Sequence, residues 1–106
     1  MGWLATVRTG GVMAGYFVAN YTITNQADYK DYLAAVGPIL QAHGAESIVV
    51  DRGCELLEGS AGQVTVVLRF ATKAAALAWY QSPEYQAIKR LRTDNTEGIA
   101  VIAEGK

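Results

Sequence analysis

The order in which hydrophobic periodicities follow one another restricts the fold of this chain more than any single residue does. Residues 16–24, YFVANYTIT, alternate in β-branched and aromatic side chains at the two-residue period of a strand. Residues 29–43 then place apolar side chains at three- and four-residue spacing, the period of a helix with one buried face. The chain therefore begins its pattern with a strand followed directly by a helix.

The ends of that helix are marked by local chemistry. Asn25 is a suitable N-cap, and Asp28 favours the positive end of the helix dipole, while Gly44 suits the residue after a helix. The stripe expected to be buried consists of Tyr29, Tyr32, Leu33, Val36, Ile39, Leu40 and His43. A helix over this segment is predicted to pack on a sheet.

A hairpin is predicted next. Residues 47–50 and 54–59 are interpreted as one strand bent at Arg52 and Gly53, followed by a turn at residues 59–62 and an inner strand at residues 63–70. This register places Arg52 directly opposite Arg69.

The last third of the chain repeats the helix and strand pattern. Thr72 can cap a helix through KAAALAWY, and Ser82 followed by Pro83 ends it and starts a second short helix, since proline is tolerated at the first helical position. Residues 99–105 then alternate as a closing strand.

The resulting order, strand-helix-strand-strand-helix-strand, predicts an α+β protein of ferredoxin-like βαββαβ topology. Its four-stranded antiparallel sheet carries both helices on one face. The other face carries Val18 and Val67 among polar side chains, and the remaining chain is too short to cover it. We therefore expect a homodimer, a dimeric α/β barrel with a cavity between or beneath the sheets.

Several runs resemble a known family. LLEG, VTVVLRF, AALAWYQSPEYQAIKRLR and the closing VIAEG are similar to the bacterial family of domain of unknown function 1330, a branch of the dimeric α/β-barrel superfamily. The resemblance runs from about Met13 to the end, and Ala71 stands where the family commonly has proline. It implies the fold and the dimer but names no substrate, since related proteins include cofactor-free monooxygenases, isomerases and haem enzymes.

Composition narrows the classes of function. With 106 residues, 51% of them hydrophobic, we expect one domain over residues 13–106 and a disordered extension at residues 1–12. A net charge of −1 argues against a nucleic-acid partner or an anionic membrane surface. No run approaches the roughly 18 apolar residues of a membrane span. A cytoplasmic protein is the expectation.

Metal and cofactor sites are not predicted. The single cysteine, Cys54, and the single histidine, His43, are too few for a structural zinc site, and one cysteine forms no internal disulfide. No glycine-rich phosphate loop or nucleophile elbow is present in the sequence.

Two residues are candidates for proton transfer. Glu58 would act as a general base if burial raised its pKa, whereas the alternative is a simple ion pair at the end of a strand. His43 is the second catalytic candidate, and its alternative is a residue that stabilises the end of a helix.

Six residues are candidates for ligand binding. Tyr80, Tyr85 and Arg92 either line a cavity mouth or belong to the core and interface. Asn20, Arg52 and Arg69 either form a carboxylate- or phosphate-binding patch, or the two arginines are neutralised by nearby acids or separated by a bulge at Gly53.

The predicted function is thus the binding of a small, partly apolar and anionic organic molecule, with cofactor-independent catalysis as its enzymatic form. The alternative is a binder without catalysis or a purely structural dimer. The sequence leaves open whether the protein is an enzyme.

Overall fold

The computed structural model describes residues 13–106, and the extension expected at residues 1–12 lies outside them. The elements are β1 (Gly15–Ile23), α1 (Gln26–Ala42), β2 (Glu46–Asp51), β3 (Val64–Phe70), α2 (Lys73–Gln81), α3 (Pro83–Ile88), α4 (Arg90–Thr93) and β4 (Thr96–Glu104). The predicted order of strands and helices is confirmed.

The strands form one antiparallel sheet in the order β2-β3-β1-β4. The central strand β1 alternates as expected, because Phe17, Ala19 and Tyr21 are buried while Val18 and Asn20 are only half-buried. Phe17 contacts Trp79 of α2, and Tyr21 contacts Tyr29 of α1, so both helices cover the same face. The predicted α+β, ferredoxin-like fold is confirmed.

The buried core consists mainly of aromatic side chains. Its most enclosed large side chains are Trp79, Tyr85 and Phe70, all less than 2% exposed. Full burial of a large apolar side chain stabilises a fold by about 1.5–3 kcal/mol, so these rings anchor α2 and α3 to the sheet.

Helix α1 begins and ends where local chemistry predicts. The Asn25 side chain accepts a hydrogen bond from the Asp28 backbone N–H at 3.1 Å. Beyond the last turn, Gly44 adopts a φ of 71°, a conformation that glycine reaches without steric cost. Within the stripe, Leu33 differs from the expectation, because it is 40% exposed.

The Ser82-Pro83 pair separates α2 from α3 as predicted. The Ser82 hydroxyl donates to the Trp79 carbonyl at 2.8 Å and accepts from the Tyr85 backbone N–H at 3.2 Å. One side chain therefore satisfies the end of α2 and the start of α3, and the change of direction brings Tyr85 into the core.

The predicted hairpin is wrong in its extent. β2 ends at Asp51, and residues 52–63 form a link rather than a continued strand. Leu56 and Leu57 in this link are 56% and 89% exposed, so their strand-like composition is not used for sheet pairing. One backbone hydrogen bond, from the Cys54 N–H to the Gln63 carbonyl, continues the contact with β3.

The predicted opposition of Arg52 and Arg69 is also wrong. Arg69 lies opposite Glu46 and pairs with its carboxylate at 3.3 Å. The register shifts between Ser47 and Val49 instead of at Gly53, and β2 ends before Arg52. The two guanidinium groups are therefore not neighbours in the ladder.

In the part of the chain that the structure describes, no helix is both long enough and apolar enough to cross a bilayer.

Candidate functional site

A cavity of about 180 Å³ lies between α1 and the helix-covered face of the sheet. Its walls are mostly apolar and come from β1, β3 and α1. Residues of the edge strand β2 also line the cavity, and Val50 among them is 61% exposed. The cavity is therefore reached from the β2 side, where Arg52 also lines it.

Tyrosines line the cavity, and their hydroxyls are hydrogen-bonded in pairs. Tyr21 and Tyr29 are joined through their hydroxyls at 2.5 Å, and Tyr32 is joined to Tyr85 at 2.9 Å. Tyr21, Tyr29 and Tyr32 line the cavity, whereas Tyr85 lies behind it with no exposed surface.

Two of these phenols, Tyr21 and Tyr32, are held in the protonated form. Burial raises the pKa of Tyr21, and the hydrogen bond with Tyr29 raises it further. Burial likewise raises the pKa of Tyr32, with the neighbouring Tyr85 adding to the effect. Both hydroxyls therefore act as hydrogen-bond groups rather than as anions at neutral pH.

The buried cationic group of the site is Arg92 on α4, whereas Arg52 is exposed at the rim. Its side chain is 6% exposed, its Nε donates to the Tyr85 hydroxyl at 3.3 Å, and its guanidinium lies 5.8 Å from the centre of the Phe17 ring. The ion pairs of the described residues, Arg69 with Glu46 and Arg90 with Asp94, do not include Arg92. The charge of Arg92 is thus buried without an acidic partner among residues 13–106.

The position of Arg92 is fixed by the end of its own helix. The Asn95 side chain donates to the Leu91 carbonyl at 2.8 Å, and the Thr96 hydroxyl donates to the Arg92 carbonyl at 2.8 Å. Burial is the largest influence on the Arg92 pKa and lowers it, but the surrounding tyrosine oxygens, chiefly that of Tyr85, raise the pKa overall. The guanidinium stays charged.

A second cavity of about 250 Å³ shares Tyr21 and Arg92 with the first. Tyr80 and residues of β4 line it as well, and the ammonium of Lys89 lies 5.5 Å from the centre of the Tyr80 ring. The candidate ligand residues Tyr80, Tyr85 and Arg92 are therefore brought together around one guanidinium.

Of the other candidate ligand residues, Asn20 and Arg69 line neither cavity at Arg92, whereas Arg52 lines the first one at its rim. Asn20 holds the link of residues 52–63: its side chain accepts from the Gly62 N–H at 2.8 Å and donates to the Gly62 carbonyl at 3.1 Å. A Cβ on Gly62 would lie 2.1 Å from the Tyr21 carbonyl carbon, so only glycine permits this approach. Arg69 is exposed and paired with Glu46, and Arg52 is exposed at the rim of the cavity.

The two proton-transfer candidates do not line the cavities at Arg92. Glu58 is exposed in the link, and His43 is half-exposed as the C-cap of α1. Cys54 is half-buried, and its thiol donates to the Gly62 carbonyl at 3.2 Å. Within residues 13–106, no three histidine, cysteine, aspartate or glutamate side chains are grouped to hold a metal ion.

Sequence reasoning missed the hydroxyl pairs of Tyr21, Tyr29 and Tyr32. The helical stripe predicts that Tyr29 and Tyr32 are buried, but burial alone does not indicate which hydroxyls meet. The available signal was the concentration of tyrosine on facing stripes, since a buried phenol usually requires a hydrogen-bond partner.

Fold and cavity together define a small α+β protein with an apolar chamber beside a four-stranded sheet. The chain belongs to the family described as domain of unknown function (DUF1330), whose model matches residues 14–106. No curated protein matches the sequence.

Solved structures are similar in fold at low sequence identity. RPA0582 is a protein of unknown function from Rhodopseudomonas palustris. The structure of its methylated form superposes with a TM-score of 0.75 at 12% identity, covering 99% of this chain and 90% of the other. A putative antibiotic biosynthesis monooxygenase from Caulobacter crescentus CB15 gives 0.58 at 14% identity, covering 88% and 87%. A protein of unknown function from Bacteroides fragilis NCTC 9343, described as dimeric and ferredoxin-like in fold, gives 0.50 at 13%, covering 87% and 95%. These likenesses support the fold.

Proposed function

We propose that this protein is a homodimer whose subunits each bind a small, partly apolar organic anion at Arg92. The observation that carries the proposal is the burial of the Arg92 guanidinium beside an apolar cavity without an acidic partner among the described residues. A buried charge is costly unless an opposite charge or several hydrogen bonds compensate it. A bound anion would supply that compensation.

The chemistry of the walls indicates the kind of anion. Around the guanidinium the cavity presents aromatic and aliphatic side chains such as Phe17, Val36 and Leu68. A fully hydrated inorganic ion would leave these surfaces unused, whereas an organic anion places its charge at Arg92 and its carbon body against them.

The proposal is tested by thermal denaturation with pairs of small organic acids and their uncharged amides. We expect the acids to raise the melting temperature, because binding to the folded state alone stabilises it. Arg92→Met should abolish the response, and Arg69→Met, which removes an exposed charge on the other face, should retain it. Equal stabilisation by acids and amides would contradict the proposal.

Catalysis without a cofactor is the second candidate function. It is favoured by protonated phenols and a fixed cation within one enclosed site, a combination that can stabilise negative charge developing on a substrate oxygen. The fold is shared with a putative antibiotic biosynthesis monooxygenase, although at 14% identity. Glu58 and His43 stay proposals for proton transfer. Formation of product by the purified protein without added metal or flavin would establish turnover.

A further inference from the structure

The hydrogen bonds behind the cavity have a direction that can be worked out from their partners. Arg92 Nε is a donor, so the Tyr85 hydroxyl accepts from it at 3.3 Å. The Tyr85 hydroxyl is also 2.9 Å from that of Tyr32. Because Tyr85 has no exposed surface, its own proton has only Tyr32 as an acceptor among the described residues.

Tyr85 therefore donates to Tyr32. The reverse direction would make Tyr85 accept twice and leave its proton buried without a partner, which folded proteins avoid. Once Tyr32 accepts, its own O–H is left without a protein acceptor in the described part of the chain, and Tyr32 lines the cavity. The chain of hydrogen bonds from Arg92 through Tyr85 thus leaves the proton of Tyr32 for a ligand in the cavity that Tyr32 lines.

The second tyrosine pair adds another donor. Of Tyr21 and Tyr29, one hydroxyl donates to the other, so one O–H of the pair is left for a ligand in the cavity that both residues line. The terminal nitrogens of Arg92 make no hydrogen bond to residues 13–106 either. The described lining of the cavity includes no aspartate, glutamate or histidine side chain.

Such a chamber offers hydrogen-bond donors and one buried positive charge, that of Arg92, while the second arginine of the lining, Arg52, is exposed to solvent at the rim. The chamber matches a group that accepts through two oxygens and carries a single negative charge, since a dianion would leave one charge buried without compensation. We propose that the ligand of this site is a monocarboxylate with a compact apolar body, whose oxygens accept from the Tyr32 hydroxyl and from Arg92. This inference rests on the proposed binding of an organic anion and narrows its chemical class.

Tyr85 is then a positioning residue. It lies outside the cavity lining, yet it holds the Nε of Arg92 and fixes the direction of the Tyr32 hydroxyl. Its loss should weaken discrimination between a carboxylate and an uncharged analogue more than it weakens apolar binding.

The experiment compares three probes of matched carbon body: phenylacetate, phenylacetamide and benzyl phosphate. Binding to the full chain is measured by calorimetry at neutral pH and by thermal shift. We expect phenylacetate to bind, with phenylacetamide and benzyl phosphate at least about tenfold weaker, because a hydrogen bond to a charged group is worth at least that factor. If benzyl phosphate binds more strongly than phenylacetate and Arg92→Met abolishes that binding, the ligand is not a carboxylate. The proposal that the site binds an organic anion would then still hold.

Two further outcomes would overturn both proposals. These are equal binding of phenylacetamide and phenylacetate, and no response to any probe at millimolar concentration.

Variants test the directed hydrogen bonds. Tyr32→Phe removes only the hydroxyl. We expect it to lower the affinity for phenylacetate about tenfold and the affinity for phenylacetamide by less. Tyr85→Phe should likewise lower the ratio of the affinity for phenylacetate to the affinity for phenylacetamide, although Tyr85 does not line the cavity. Tyr16→Phe, on the opposite face of the sheet, is the matched control. An unchanged ratio in both Tyr32→Phe and Tyr85→Phe would overturn the inference, and circular dichroism confirms that each variant is folded.

Discussion

A buried phenol that keeps its proton connects individual residues to the stability of the whole fold. Tyr21 and Tyr32 have raised pKa values because burial disfavours their charged forms and each hydroxyl is bonded to another tyrosine. In an unfolded chain the same tyrosines lose their protons near pH 10. The folded and unfolded states therefore bind different numbers of protons at alkaline pH.

The sign of the effect follows from that difference. Above about pH 10 the unfolded state releases tyrosine protons that the folded state retains, so stability present below that pH is lost as the pH rises. We expect the free energy of unfolding in urea to fall steadily from pH 9.5 to pH 11. The double variant Tyr21→Phe/Tyr32→Phe should show a shallower fall than Tyr16→Phe, and parallel slopes would contradict the assignment.

Sequence alone predicted which of these tyrosines are buried but not how they are bonded. The helical stripe placed Tyr29 and Tyr32 on the inner face of α1, which the structure confirms. The partner of Tyr32 lies 53 residues away along the chain, and that contact depends on the direction in which α3 leaves Ser82. Local periodicity contains no information about that direction.

At the scale of elements, the junction of α2 and α3 determines how the site is assembled. Ser82 completes both helix ends, and Pro83 begins α3, which delivers Tyr85 to the hydroxyl of Tyr32. The next short helix, α4, places the Arg92 side chain in the interior. A continuous helix in place of this junction would point these side chains elsewhere.

Ser82→Ala is expected to destabilise the protein by about 1 kcal/mol or somewhat more, because it removes the cap of α3 and a buried hydrogen bond. For a domain of this size that corresponds to a melting temperature lower by roughly 4–8 °C. Ser60→Ala in the exposed part of the link is the control and should change the melting temperature little. A Ser82→Ala protein as stable as the control would show that the cap is dispensable.

Elements differed in how well their sequences predicted them. The Ser-Pro junction and the Asn25 cap were predicted because a few adjacent atoms determine both. The link of residues 52–63 was not, since its apolar residues Cys54, Leu56 and Leu57 suggest a strand while its position is set by Asn20 on another element. The error in the Arg52 and Arg69 register followed directly from that link.

At the scale of the whole molecule, a row of four valines crosses the sheet on the face without helices. Val49 pairs with Val67, Val67 with Val18, and Val18 with Val101, so the row spans all four strands. Val101 is 50% exposed and Val49 is 37% exposed. We propose that a second copy of the chain covers this row, an arrangement that fits an apolar band between polar neighbours.

Val101→Lys should weaken that dimer, because it places a charge in the apolar row without disturbing the central strands. Light scattering at micromolar concentration should give twice the chain mass of 11.4 kDa for the unmodified protein and a mass near the monomer for the variant. Leu77→Lys, a matched change on the helical layer, should stay dimeric. An unmodified protein that is monomeric at this concentration would refute the proposal.

The sharing of Arg92 between two cavities has a consequence for stoichiometry. One guanidinium neutralises one negative charge, so an anion in either chamber removes the counter-ion that an anion in the other would need. Two different ligands of Arg92 therefore compete even when their carbon bodies occupy separate spaces. If the protein binds an anion as proposed, we expect saturation at one anion for each chain, and an inhibitor of this site need not resemble the ligand in shape.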